Sequence, residues 1–288
     1  MARVRIAKKI KLFVLLAVIV GGGATFFYAC QMRVVEPVYQ GKPLSFWLEK
    51  YNNGFSTYPT GAGNPDSSTP EAALDHIGTN AIPTLLRMLE TKDSRLKLKL
   101  IELSEQQHFI TIHYAKAWHQ NFAAIMGFNH LGDAVKREVP VPAWIEIYDQ
   151  RPSAMAQSFI ADALAERGAA AEPAVPSLLR MTTNTNADFA LRVNAIVALG
   201  RIHAKPESVV PALIQATQDK NIVVREAAID NLGRFGTDAR PAVNALVKLL
   251  SDRDPNVREI ALYALEKIDP AAAKAAGKQS DSSSTPTR

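Results

Sequence analysis

Apolar residues recur along this chain three and four positions apart, in pairs of short segments repeated many times over. A column of punctuation points organises them: Gly78, Gly132, Gly168, His203, Gly236 and Asp269. Four positions before each point stands a large apolar residue, namely Leu74, Phe128, Leu164, Leu199, Leu232 and Leu265. One position before it come Ile77, Leu131, Arg167, Ile202, Phe235 and Ile268, with Arg167 the exception. That spacing is the buried stripe of an amphipathic helix. Glycine at the stop suits a helix C-terminus, because it takes positive φ without steric penalty. A second helix follows each stop, opened by Pro83, Pro142 (with Pro140 as the alternative), Pro176, Pro211 or, in the same column, Asn244. Proline fits the first helical turn, where its missing N–H is not needed. The core positions there are Leu85/Leu86, Trp144/Ile145, Leu178/Leu179, Leu213/Ile214 and Leu246/Val247. The pattern predicts an all-α chain of stacked helical hairpins, in which each hairpin buries its apolar face against the next.

Three arginines, Arg192, Arg225 and Arg258, lie 33 residues apart and eleven before their stops. A polar residue precedes each by six: Asn186, Asp219 and Asp252, with Asp93 and Lys99 as the matching pair near the start. Segments such as NAIVALGRIHAKPESVVPALI and AAIDNLGRFGTDARPAVNALV resemble HEAT repeats, particularly the short bacterial kind also seen in phycobilin lyases. The resemblance covers roughly residues 69–270, about five units, and implies an α-solenoid whose arginine column is a scaffold ladder between units. It also implies that the second helices line the concave face. Arg87, Glu146, Arg180, Gln215 and Lys248 then form one polar column along it, and Glu90, Asp149, Thr183, Gln218 and Ser251 form another. From these, Arg87, Glu90, Glu146, Asp149, Arg180, Gln215, Gln218 and Lys248 are the expected partner-binding residues. Their mixed signs point to a protein or peptide partner.

Charge narrows the partner further. Arg3, Arg5, Lys8, Lys9 and Lys11 account for five of the 33 Lys and Arg; the other 28 balance 28 Asp and Glu. The net charge of +5 therefore sits in the first eleven residues. A nucleic-acid binder carries its basic stripe on the folded part, so nucleic acid is not the expected partner. After the basic flank (1–11), residues 12–32 carry no charge, enough for one transmembrane helix. The flank stays cytoplasmic by the positive-inside rule, which sends the C-terminal body across the membrane. The expected location is a bacterial inner membrane, single-pass, with the body periplasmic. An uncleaved signal anchor fits the length. Acylation at Cys30 as a lipoprotein and cleavage after FYA are the alternatives. Residues 33–68 read as a linker, with Ser45 capping a short helix whose aromatics cover the end of the stack. Residues 271–288 read as a disordered tail.

Chemistry has few candidates. Cys30 is the single cysteine, so the body holds no disulfide or thiolate metal site. His108, His113 and His119 are spaced by five and six, which does not align imidazoles on one helix face, and no histidine precedes a glutamate as in HEAT-like iron hydroxylases. No cofactor is implied. The expected function is a non-catalytic interaction scaffold, and the alternative is an accessory lyase or other enzyme on a HEAT-like scaffold. The period fails once, between Gly78 and Gly132, which marks an irregular insertion at about 94–119. It reads either as a specificity-bearing loop or as an imperfect helix pair extending the core.

Overall fold

A computed structural model describes residues 36–53, 69–105 and 116–283. The basic flank, the predicted span with Cys30, the loop at 54–68, His108 and His113 of the insertion, and residues 284–288 lie outside the described residues. Among the described residues no helix is long and apolar enough to cross a membrane.

A short two-stranded ribbon, β1 (Val38–Tyr39) and β2 (Lys42–Pro43), leads into α1 (Leu44–Leu48) and α2 (Lys50–Asn53). The helical array runs α3 (Pro70–Ile77), α4 (Ile82–Glu90), α5 (Arg95–Glu105), α6 (Ala117–Glu138), α7 (Val141–Asp149), α8 (Ala154–Ala165), α9 (Val175–Thr182), α10 (Phe189–Ile202), α11 (Pro206–Ala216), α12 (Ile222–Phe235), α13 (Val243–Leu249), α14 (Pro255–Ile268) and α15 (Pro270–Ser283). First helices pack on first helices of the neighbouring unit (α8 on α10, α10 on α12, α12 on α14), and each also packs on the second helix of the preceding unit (α8 on α7, α10 on α9, α12 on α11, α14 on α13). The residue four before each stop is fully buried in all six units, as is the first member of each second-helix pair. One continuous core results, as a quasi-one-dimensional stack requires.

The stop column takes its geometry from glycine. Gly236 has φ 52 and ψ −131, a region that only glycine occupies at low cost. A Cβ built there meets nothing within 4 Å, so the cost of a side chain is purely conformational. Gly236→Ala is expected to lower stability by about 1–3 kcal/mol, read as the urea midpoint at unchanged slope. Asp269 stops its helix differently, with extended backbone at φ −150, and its Oδ1 accepts from Ala271 and Ala272 N–H at 3.1 Å. It thereby caps α15.

Several expectations need correction. The tail from 271 is helical to Ser283, because PAAAKAA is strongly helix-favouring, is capped by Asp269, and buries Ala273 on the last hairpin. Pro211 does not open its helix: α11 begins at Pro206, where left-handed Lys205 replaces the 3₁₀ segments of Gly168–Ala174 and Gly236–Ala242. Ser45 caps nothing. The N-cap of α1 is Pro43, and the Ser45 hydroxyl donates to Glu36 Oε2 at 2.7 Å. The ribbon before α1 was not anticipated. Within the insertion, α5 is largely exposed (Leu96 is 65% accessible), and Trp118 lies at the surface against His119.

The ladder differs most. Arg225 donates to the carbonyls of Asp219 and Lys220, and Arg258 to those of Asp252 and Arg253, each holding the turn before its own helix. Arg192 pairs with the carboxylate of Asp219, 27 residues on, and not with Asn186, whose N–H bonds Asn184. Asp219 is the node: Oδ2 takes Arg192, Oδ1 takes the Asn221 N–H at 2.8 Å, and its carbonyl takes Arg225 at 2.9 Å. Lys99 is not part of the ladder. Asp93 pairs with Lys97 at 2.7 Å and accepts the Ala117 N–H that opens α6. The earlier units use neutral amides in the same column, eleven before the stop. Asn121 donates to the carbonyls of Met88 and Leu89, and Gln157 to that of Tyr148. Asn121 and Gln157 thus close the end of the preceding second helix, whose last carbonyls have no intrahelical partner, whereas Arg225 and Arg258 hold the turn that follows it and Arg192 reaches the turn after the next second helix.

Arg167, the break in the apolar column, follows the same logic. Its guanidinium reaches the carbonyls of Lys136 (2.7 Å) and Val139, at the end of α6.

Candidate partner-binding face

The candidate residues sit at or just beyond the C-terminal turns of the second helices. In α9, Leu178 and Met181 turn into the core while Arg180 stays outside, and the other second helices repeat that division. The face is therefore polar for a local reason: the apolar stripe is spent on the core, and what remains is in water.

Each candidate has a definite place. Arg87 is half-buried and ion-paired with Glu36, whose second oxygen holds Ser45, so the N-terminal segment already occupies it. Burial lowers the Arg87 pKa from its ordinary value. Asp149 and Arg180 come together: Arg180 Nη2 donates to Asp149 Oδ2 at 2.7 Å, and Ser177 Oγ lies 3.0 Å from both. They line a small pocket of about 60 Å³ with Tyr148, Arg151, Gln157, Met181 and Asn184. Burial, then the Asp149 charge, pushes the Tyr148 phenol well above its usual range, so it stays neutral. Gln215 and Gln218 border a larger cleft of about 310 Å³ with Thr182, Thr183, Thr185, Asp219 and Lys220. Lys248 is exposed near the end of α13 and Ser251 just past it.

Glu90 and Glu146 are neighbours of like charge. Burial first, and Glu146 second, raise the Glu90 carboxyl above the usual carboxylate range. A raised folded pKa means the ionised form opposes folding, and the group contributes stability only while protonated. Glu90→Gln is accordingly expected to raise the denaturation midpoint at pH 7, by no more than about 0.5 kcal/mol at so exposed a site. The advantage should vanish as the pH falls through the carboxylate range. A pH series of urea melts on both proteins checks it.

Sequence reasoning missed Glu36 and Ser177. Ser177 precedes Arg180 by three, a spacing that puts both on one side of α9, and that signal was available. Glu36 carried none, because its partner is 51 residues away. Of the charged candidates, Arg87, Asp149 and Arg180 are paired within the chain, whereas Glu90, Glu146 and Lys248 make no ion pair among the described residues. With these three, the amide and hydroxyl groups around the Gln215–Gln218 cleft are what the face offers a partner.

Comparison with known proteins finds one family match, over the C-terminal part of the chain. The model for HEAT repeats matches residues 175–265 and 210–282. No curated protein matches the chain. Among solved structures, the crystal structure of an engineered protein from a structural genomics consortium is 19% identical, with 80% of this chain and 97% of that one covered at a TM-score of 0.41. The family match coincides with the most regular hairpins, α9 to α15. Residues 175–282 are therefore similar in sequence to HEAT repeats.

Proposed function

We propose that this protein is a non-catalytic scaffold that holds a protein or peptide partner on its second-helix face. HEAT-repeat proteins commonly serve as interaction scaffolds, and the family match supports the same role for this chain. The observation that carries the reading is the exposed polar ledge: Arg180, Thr183, Gln215, Gln218 and Lys248 stay in water at equivalent points of successive units while the core beneath them is complete. A row of such groups on a rigid array is what a long, shallow contact needs. We further propose that residues 12–32 anchor the chain in a bacterial inner membrane with the body in the periplasm. The uncharged 21-residue run behind a basic flank supports it.

Crosslinking of the full chain in its native membrane, followed by identification of the captured protein, tests the first part. With that partner in hand, the combined variant Arg180→Ala, Gln215→Ala, Gln218→Ala should bind about tenfold more weakly or worse, roughly 1.4 kcal/mol. Unchanged affinity moves the site elsewhere. Alkaline phosphatase fused after residue 60 should be active if the body is exported; an inactive fusion overturns the topology.

A further inference from the structure

We propose that the N-terminal cap of the array, the ribbon Val38–Pro43 with α1, docks on the lipid headgroups and lays the first unit against the bilayer. This rests on the anchor reading above. α1 is apolar in two directions. Leu44, Trp47 and Leu48 are buried in the first unit, whereas Phe46 is 42% exposed and, on the ribbon, Val38 is 58% exposed. Val38 pairs with Pro43 across the ribbon, and the ammonium of Lys42 lies 5.3 Å from the Phe46 ring centroid, so these groups share one small region. Lys50 adds a second cation, 5.9 Å from Phe46 and 4.4 Å from Trp47. Apolar side chains interleaved with lysines match the boundary between acyl chains and anionic headgroups. Of the two acids in residues 36–53, Glu36 is neutralised by Arg87, and exposed Glu49 works against docking.

Chain length ties the cap to that boundary. The uncharged run ends at Met32, and Glu36 is fixed by Arg87 and Ser45. The three residues between them, four Cα–Cα steps, reach at most about 14 Å. The headgroup layer on each side of a bilayer is itself about 5–7 Å thick. The cap is thus held at the lipid surface by a tether too short to let it leave, and a lipid interface is the occupant that its chemistry and position both fit.

The test uses the full chain carrying Cys30→Ser, reconstituted in vesicles of phosphatidylethanolamine with a minority of phosphatidylglycerol. One environment-sensitive fluorophore is placed at Phe46→Cys or, as the distal control, at Tyr263→Cys on α14. Both positions are exposed, so neither change touches the core. Lipids brominated near the headgroup should quench the label at 46 severalfold more than the label at 263. Adding Val38→Asp and Lys42→Glu should remove that excess. Equal quenching at both positions, in a chain that still resists alkaline carbonate extraction, overturns the docking and leaves the anchor standing. Label–label self-quenching at 46 without bromolipid quenching assigns the patch to a second copy, and also overturns it. A chain that carbonate extracts defeats the anchor reading and the proposal with it.

Discussion

Arg192→Ala is expected to destabilise the array by about 3–5 kcal/mol, the usual cost of removing one partner from a buried ion pair. The Arg192 side chain is 2% accessible and that of Asp219 9%. Without the guanidinium, the Asp219 carboxylate keeps one backbone donor, from Asn221, and loses its only charged partner among the described residues. The damage should not stay local. Asp219 is also the turn that Arg225 grips, so loosening it weakens the junction between the α10–α11 hairpin and α12. Hydrogen exchange should therefore show the amides of α11 and α12 losing protection before those of α8. Arg258→Ala is the control. It occupies the same column, but it is exposed and bonds only its own turn, so about 1 kcal/mol or less is expected. Equal losses for the two variants would show that the Arg192–Asp219 pair carries no special weight.

Gly200→Ala should also destabilise, against the ordinary sign. Alanine normally improves a helix interior by about 1 kcal/mol over glycine. Here a Cβ at position 200 would stand 1.8 Å from Asn231 Oδ1 and 2.7 Å from its Cγ. Asn231 is 1% exposed, and its amide is tied to the Ala227 carbonyl at 2.7 Å, so it has no free room to turn into. α10 and α12 would have to separate, at an overpacking cost of about 1–3 kcal/mol, or more if the Asn231 hydrogen bond breaks. Thermal melts should show the loss. Asn231→Ala in the Gly200→Ala background should restore part of it, since only the Asn231 Cβ, at 3.1 Å, remains close. Without that rescue, the glycine would matter for backbone reasons and not for helix approach.

Much of this architecture was legible before any coordinates. The stop column located five helix ends and, at Gly132, a break within α6; five of the six positions have positive φ in the structure. The donor column could have been read further than it was. Eleven before Gly132 and Gly168 stand Asn121 and Gln157, which fill the same column with neutral amides and bond the end of the preceding second helix. Following charge instead of position led to Lys99, which sits in an exposed helix outside the period. The candidate face was legible as a set of exposed polar positions. Its internal pairings, Arg87 with Glu36 and Arg180 with Asp149 and Ser177, were not.

What the sequence determined by itself was the hairpin, its period and its buried columns, because each depends on residues within one helical turn or on the next copy of the same pattern. What only the tertiary structure decided was which polar groups meet. Arg192, Arg225 and Arg258 are equivalent on a helix, yet one bridges to a carboxylate 27 residues away and two hold their own turns. That choice is made by a few ångströms of placement between neighbouring units. Hydrophobic periodicity fixes which side of a helix is buried, but it does not set those distances.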